Sequence, residues 1–219
     1  MSQIMCLIII NCQVVISAQK KLPQGRARPV RPPRIPPMIT DIIQTAVSSL
    51  DGMEFTNLMS CPHCGGTVRG FDRKKKKFAV LREQMAERII YIWVKRFYCR
   101  DCGVLCYADE PFYPGTRIGS PVIDIFISLS ATMPGSRAAR IIDALGIVVD
   151  RTTWKYYTNR TFPEIPVMDV FGMRLPLSVV RLSDLAVQSG ESNPSYTAEI
   201  IAVCGNPSQS SVPSNSSLK

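Results

Sequence analysis

The 219-residue sequence contains a single histidine, His63, and that one sits inside a cysteine motif. Catalysis built on a histidine general base is therefore excluded. A long hydrophobic run is also missing. The most apolar stretch, MCLIIINCQVVIS at 5–17, is apolar for only about a dozen residues, short of the ~20 that span a bilayer. No basic residue precedes it and no small-residue cleavage site follows it, so it makes a poor signal peptide. A short membrane anchor or a mis-assigned start are the alternatives, and a membrane partner is not expected. Acidic residues are scarce, 17 against 26 Lys and Arg, for a formal net charge of +9. The shortage is uneven. Residues 1–160 hold 23 basic and 12 acidic residues, or +11, whereas 161–219 hold 3 and 5, or −2. A basic front directs that part toward a polyanion, most often nucleic acid; ordinary solubility charge is the plainer alternative. No internal repeat is present.

What the chain does have is 46% hydrophobic content, enough for one or two small domains. Its ends read as poorly ordered. QGRARPVRPPRIPP (24–37) is an extended basic linker by composition, and NPSQSSVPSNSSLK (206–219) is low-complexity.

Two cysteine pairs, CPHCGG at 61–66 and CRDCG at 99–103, stand out among the eight cysteines. A C-x-x-C turn presents two thiolates from one knuckle, and two knuckles complete a tetrahedral shell. Cys61, Cys64, Cys99 and Cys102 are thus predicted to hold Zn²⁺, with Gly65, Gly66 and Gly103 allowing the sharp turns. A disulfide lacks a secretory signal to support it, and a thioredoxin-type motif would need one pair in a βαβ setting. His63 is expected to face solvent. Cys106 is expected to be a small buried hydrophobe, a substitute ligand being the alternative, and Cys6, Cys12 and Cys204 carry no spacing signal.

Between the knuckles, TVRGF (67–71) reads as a short strand, DRKKKK (72–77) as a charged tip, and ERIIYIWVKRFYC (87–99) as a long strand. Knuckle, hairpin, knuckle is a zinc-ribbon layout. On the long strand Ile89, Tyr91, Trp93, Lys95 and Phe97 share one face, and Ile90, Ile92, Val94, Arg96 and Tyr98 the other. The aromatic face is expected to be core, stacking of bases beside Lys95 being the alternative. Lys74, Lys75, Lys76 and Lys77 are candidates for unspecific phosphate contact.

The periodicity then becomes helical. Helices are predicted at 119–133, capped by Ser120 ahead of Pro121; at 136–146, capped by Ser136 and ended by Gly146; and at 151–160, capped by Asp150. Three helices, the last two joined by a short turn, suggest a helix-turn-helix unit. Trp154 and Tyr157 would pack inward. Arg151, Thr152, Lys155, Tyr156, Asn159 and Arg160 would face out, with Arg137 on the preceding helix, as candidate contacts to double-stranded DNA. A generic three-helix packing unit is the alternative. Further on, 173–189 reads as a small helical or mixed element and AEIIAVCG (198–205) as a strand.

CPHCGG, RFYCRDCG and PFYPGTRIGSPVIDIFISLSATMPGSRAARIIDALGIVVDRTTWKYY together resemble the N-terminal half of certain prokaryotic insertion-sequence transposases, over roughly 59–162. In that family a zinc ribbon precedes a helix-turn-helix that recognises the element's terminal repeats. The resemblance implies zinc on the four cysteines and DNA on the 151–160 helix. It breaks off afterwards. The family continues into an RNase-H-like catalytic domain whose acidic residues bind two metal ions. Here 163–219 offer Glu164, Asp169, Asp184, Glu191 and Glu199 without a sheet to set them. No nuclease or transposase activity is expected.

The expected fold class is a small α+β protein: an antiparallel zinc ribbon followed by a three-helix helix-turn-helix domain, with disordered ends. The expected organisation is a poorly ordered segment and linker at 1–37, a short helical lead-in at 38–58, the ribbon at 59–116, the helix-turn-helix at 117–162, a small element at 163–205 and a tail at 206–219. The expected function is zinc-dependent DNA binding, cytoplasmic and nucleoid-associated, with a homodimer possible. The alternative is a zinc-ribbon adaptor that docks on a transposase or transcription protein.

Overall fold

The computed structural model describes residues 35–83, 86–188 and 194–204. The apolar stretch 5–17, nearly all of the basic linker and the tail lie outside the described residues. The fold is α+β, a four-stranded and a two-stranded sheet with six helices among the described residues.

A long hairpin dominates. Strands β2 (Val68–Glu83) and β3 (Ala86–Cys99) pair antiparallel over almost their whole length. β3 is rich in β-branched and aromatic residues, which suit a pleated, half-buried surface. With β2 along one edge of β3, two short strands share the other: β1 (Glu54–Phe55), parallel at Trp93–Val94, and β4 (Leu105–Tyr107), antiparallel at Arg96–Tyr98. The four lysines are not at a tip, as the sequence suggested. Lys74 to Lys77 lie within β2, opposite Val94 to Tyr91. A strand tolerates such a run because successive side chains leave on opposite faces. One of them, Lys76, turns toward the protein, 2.6 Å from Glu110 and over the ring of Tyr107.

The core face of β3 also differs from expectation. Ile90, Ile92 and Val94 are fully buried, not Ile89 and Trp93. Each buried isoleucine contributes roughly 1.5–3 kcal/mol. Beyond Val94 burial passes to Phe97 and Cys99, the opposite phase. The change coincides with a bulge between Gly70 and Arg73 of β2. Such a bulge bends the strand and increases its twist. One end of the hairpin thus packs against helices and the other against the cysteines.

The helices that do this packing are α1 (Pro37–Ser48), α2 (Ser120–Ser130), α3 (Gly135–Ala144), α4 (Arg151–Thr158), α5 (Leu177–Gln188) and α6 (Pro194–Val203). A hairpin of β5 (Val167–Val170) and β6 (Met173–Pro176) precedes α5. One hydrophobic core joins Ile39 and Ile43 of α1, Phe78 and Ile92 of the long hairpin, Ile123 and Phe126 of α2, and Leu182 of α5. The α3–α4 turn is tied to the edge of β2: the Arg82 N–H donates to the Gly146 carbonyl at 2.6 Å, and the Val148 N–H to that of Val80 at 2.8 Å. Arg82 also pairs with Asp143. Gly146, at φ +81°, ends α3 in a conformation that L side chains rarely adopt.

Some local expectations change. Asp150 caps α4 as expected, accepting from the Thr153 N–H at 2.8 Å. Ser120 and Ser136 do not act as caps. The positions before α2 and α3 are Gly119 and Pro134, and the Ser120 hydroxyl donates to the Pro111 carbonyl instead. The segment read as a strand at 198–205 is mostly α6; Ile200 within it and Cys204 just after it are buried one turn apart. A short apolar run does not distinguish strand from helix by periodicity.

At the centre of the fold, Asp124 of α2 is buried. It accepts from the Tyr113 hydroxyl at 2.6 Å and from the Ser178 hydroxyl at 2.7 Å, joining α2, α5 and the turn before α2. Burial pushes its carboxyl up to about 6, against the pull of the two hydroxyl donors.

Candidate metal centre

The two cysteine knuckles have the same backbone geometry. In the first, the Cys61 N–H donates to the Gly66 carbonyl at 3.0 Å and the Gly65 N–H to the Cys61 carbonyl at 2.8 Å. In the second, the Cys99 N–H donates to the Val104 carbonyl at 3.0 Å and the Gly103 N–H to the Cys99 carbonyl at 3.1 Å. Each turn therefore needs its fifth residue in the left-handed region, and Gly65 and Gly103 take φ +71° and +70°. The knuckles also hold each other. Asp101 of the second accepts from the Thr67 N–H beyond the first at 3.0 Å, so close to Gly66 that a Cβ there would lie 2.0 Å from the carboxylate.

All four sulfurs of Cys61, Cys64, Cys99 and Cys102 lie within 4.8 Å of one another. Cys61 and Cys102 are 3.7 Å apart, Cys64 and Cys99 3.5 Å, and none forms a disulfide. A tetrahedral shell with metal–sulfur bonds of ~2.3 Å has edges of ~3.8 Å, so the cluster fits a metal ion. The first cysteine of each knuckle is buried and the second exposed.

The electrostatics lead to the same conclusion. Burial opposes ionisation of Cys61, but backbone N–H groups of His63 and Cys64 and the neighbouring thiols bring it down to about 6. At Cys64 the Gly66 N–H favours the thiolate, yet the Cys102 and Cys99 sulfurs outweigh it and push the thiol up to about 12. Four thiols this close do not ionise together without a cation among them.

His63 is exposed and outside the cluster. Cys106 is buried with its sulfur 3.6 Å from that of Cys61, although it is not one of the four.

The candidate polyanion contacts fall in separate places. Arg151, Thr152, Lys155, Tyr156 and Asn159 are exposed on or just after α4, while Trp154 and Tyr157 are buried. Trp154 stacks on Phe126 of α2. Arg160 is committed elsewhere, donating to the Pro114 and Gly115 carbonyls at 2.8 and 3.2 Å. The Thr152 hydroxyl bonds the Asp150 cap. Arg137 is exposed on α3. Of the β2 lysines, Lys75 and Lys77 share a face with Tyr91 and Trp93 of β3, whereas Lys76 is occupied by Glu110.

Sequence reasoning missed the Lys76–Glu110 pair and the Asp124 cluster, because both join residues far apart in the chain. It also misjudged the Trp93 face, although strict alternation along β3 had separated the two faces correctly. Comparison of the chain with protein-family models, with curated proteins and with solved structures finds no match.

Proposed function

We propose that the protein is a zinc-dependent DNA-binding protein, similar to the terminal-repeat recognition part of insertion-sequence transposases. In this reading Zn²⁺ occupies the four-sulfur cluster and fixes the knuckle end of the hairpin. Helices α3 and α4 act as a helix-turn-helix, and α4 enters the major groove of double-stranded DNA. The observation that carries the reading is the division of α4. Trp154 and Tyr157 anchor it in the core, while Arg151, Lys155, Tyr156 and Asn159 remain exposed along its outer side. These residue types bind phosphates and base edges. The Asp150 cap and the Arg160 brace hold the helix in one orientation. Nucleoid association would follow from such binding.

Selection of bound sequences from a random duplex pool by zinc-loaded protein, at near-physiological salt, tests this. Enrichment of one motif, lost in Arg151→Ala and Lys155→Ala, is expected. No enrichment with zinc shown to be present would reject sequence-specific reading and favour the protein-docking adaptor.

A further inference from the structure

On a second face of the long hairpin the side chains are exposed or half-buried. Its cross-strand rows are Lys77 opposite Tyr91, Lys75 opposite Trp93, and Arg73 opposite Lys95. Rows on one face recur every ~6.8 Å along a strand. Two aromatic rings and four cations therefore alternate across a narrow ribbon. Trp93 is 36% exposed, and Phe71, beyond the bulge, is 65% exposed. The Lys75 ammonium lies 4.1 Å from the centre of the Tyr91 ring and 5.9 Å from that of Trp93, and the Arg73 guanidinium lies 5.8 Å from Trp93. An open pocket of about 610 Å³ is bounded by Glu54, Phe71, Asp72, Arg73, Trp93 and Lys95.

The nearby carboxylates are engaged with arginines: Glu54 with Arg73, Asp72 with Arg96, and Asp51 with Arg88. Among the described residues Lys75, Lys77 and Lys95 have no carboxylate at ion-pair distance. This surface sets partly exposed aromatic rings beside ammonium groups that contact those rings and form no ion pair among the described residues.

We infer that this face binds single-stranded nucleic acid, with unpaired bases stacking on Trp93, Tyr91 and Phe71 and phosphates held by Lys75, Lys77 and Lys95. Base stacking on aromatic side chains inside a cationic track is how sequence-tolerant single-strand binding works. A duplex keeps its base faces stacked on each other and offers this surface only phosphates. The lysine over the Tyr91 ring is on a flexible stem, so it can swing to a phosphate as a base takes its place. The site is independent of α4. A protein with both could hold a duplex end and the strand that peels from it.

The test uses the full zinc-loaded chain and a dodecamer of thymidylate. The protein has two tryptophans, and Trp154 is buried, so the exposed indole is that of Trp93. Binding should quench Trp93 fluorescence. Trp93→Ala should weaken binding, followed by oligonucleotide anisotropy, about tenfold. Lys75→Ala and Lys95→Ala should each reduce the salt slope by about 0.7. Arg151→Ala and Lys155→Ala should leave dodecamer binding unchanged, which separates this site from the duplex-reading proposal. Far-UV circular dichroism and the urea midpoint of every variant check that it has folded. No quenching, wild-type affinity in Trp93→Ala, or equal quenching by a polyphosphate of matched charge would each overturn the inference. So would a dimer that dissociates on Trp93→Ala without any oligonucleotide binding, since the face would then join two copies of the chain.

Discussion

The sulfur of Cys106 lies 3.6 Å from the sulfur of Cys61 and 3.7 Å from the carbonyl oxygen of Val104. A fifth thiol thus sits beside the four-sulfur cluster, buried, and positioned to support a ligand from behind. Groups that hydrogen-bond a metal ligand commonly change affinity by 10–100-fold without changing stoichiometry. Cys106→Ala should therefore still bind one metal ion per chain, about tenfold more weakly, in competition with a chromophoric chelator. Cys61→Ser and Cys99→Ser should lose the metal. Complete loss in Cys106→Ala would make this thiol a ligand.

Removal of a metal ion held by the four-cysteine cluster should affect one end of the molecule. The knuckle end has a small cluster of Cys61, Cys99 and Cys106 with Leu58, Val68 and Val104, whereas the rest of the hairpin shares the large core with the helices. A strong chelator should raise amide exchange over residues 58–67 and 99–107 while α2 and α5 stay protected. Exchange rising equally throughout would show that the metal stabilises the whole fold.

Buried Asp124 makes stability depend on pH in the direction opposite to a salt-bridged carboxylate. Its folded value, about 6, lies above the ordinary 3.8, so its protonated form favours folding. That contribution is complete below the unfolded value and is lost as pH rises through about 6, a change on the order of 3 kcal/mol. Asn in its place can still accept from Tyr113 and has no charge to bury. Denaturation of both proteins from about pH 3.5 to pH 7 should show Asp124→Asn gaining on wild type as pH rises, most of it below about pH 6. A constant difference would mean that Asp124 does not titrate in this range.

The arginines of the α4 region should divide into two kinds. Arg160 donates to two backbone carbonyls and lies over the rings of Tyr156 and Phe162. Arg160→Ala should lower stability by about 1 kcal/mol in urea titration. Arg151 is exposed, and its change to Ala should leave the urea midpoint unaltered while reducing the salt slope of duplex binding by about 1. The reverse pattern would reassign the outer side of α4.

The four ligand-type cysteines were legible in the chain because a knuckle is local. Two thiols and a glycine in left-handed conformation are fixed by a few consecutive residues, and both knuckles close with the same hydrogen bonds. The inward pair of α4, Trp154 and Tyr157, and its Asp150 cap were legible for the same reason: spacing along one helix decides them. Alternation likewise sorted β3 into two faces. It did not say which face meets the core, because that depends on where α1 and α2 come to rest, and the answer reverses beyond Val94. The lysine run was read as a tip because charge alone does not reveal a strand whose pairing partner is already known. Lys76 is in place through Glu110 and Tyr107, more than thirty residues away. Local chemistry set the two cysteine knuckles and the helix faces. Long-range packing decided which aromatic rings stay in water, since burial is a property of the assembled core and not of any one segment.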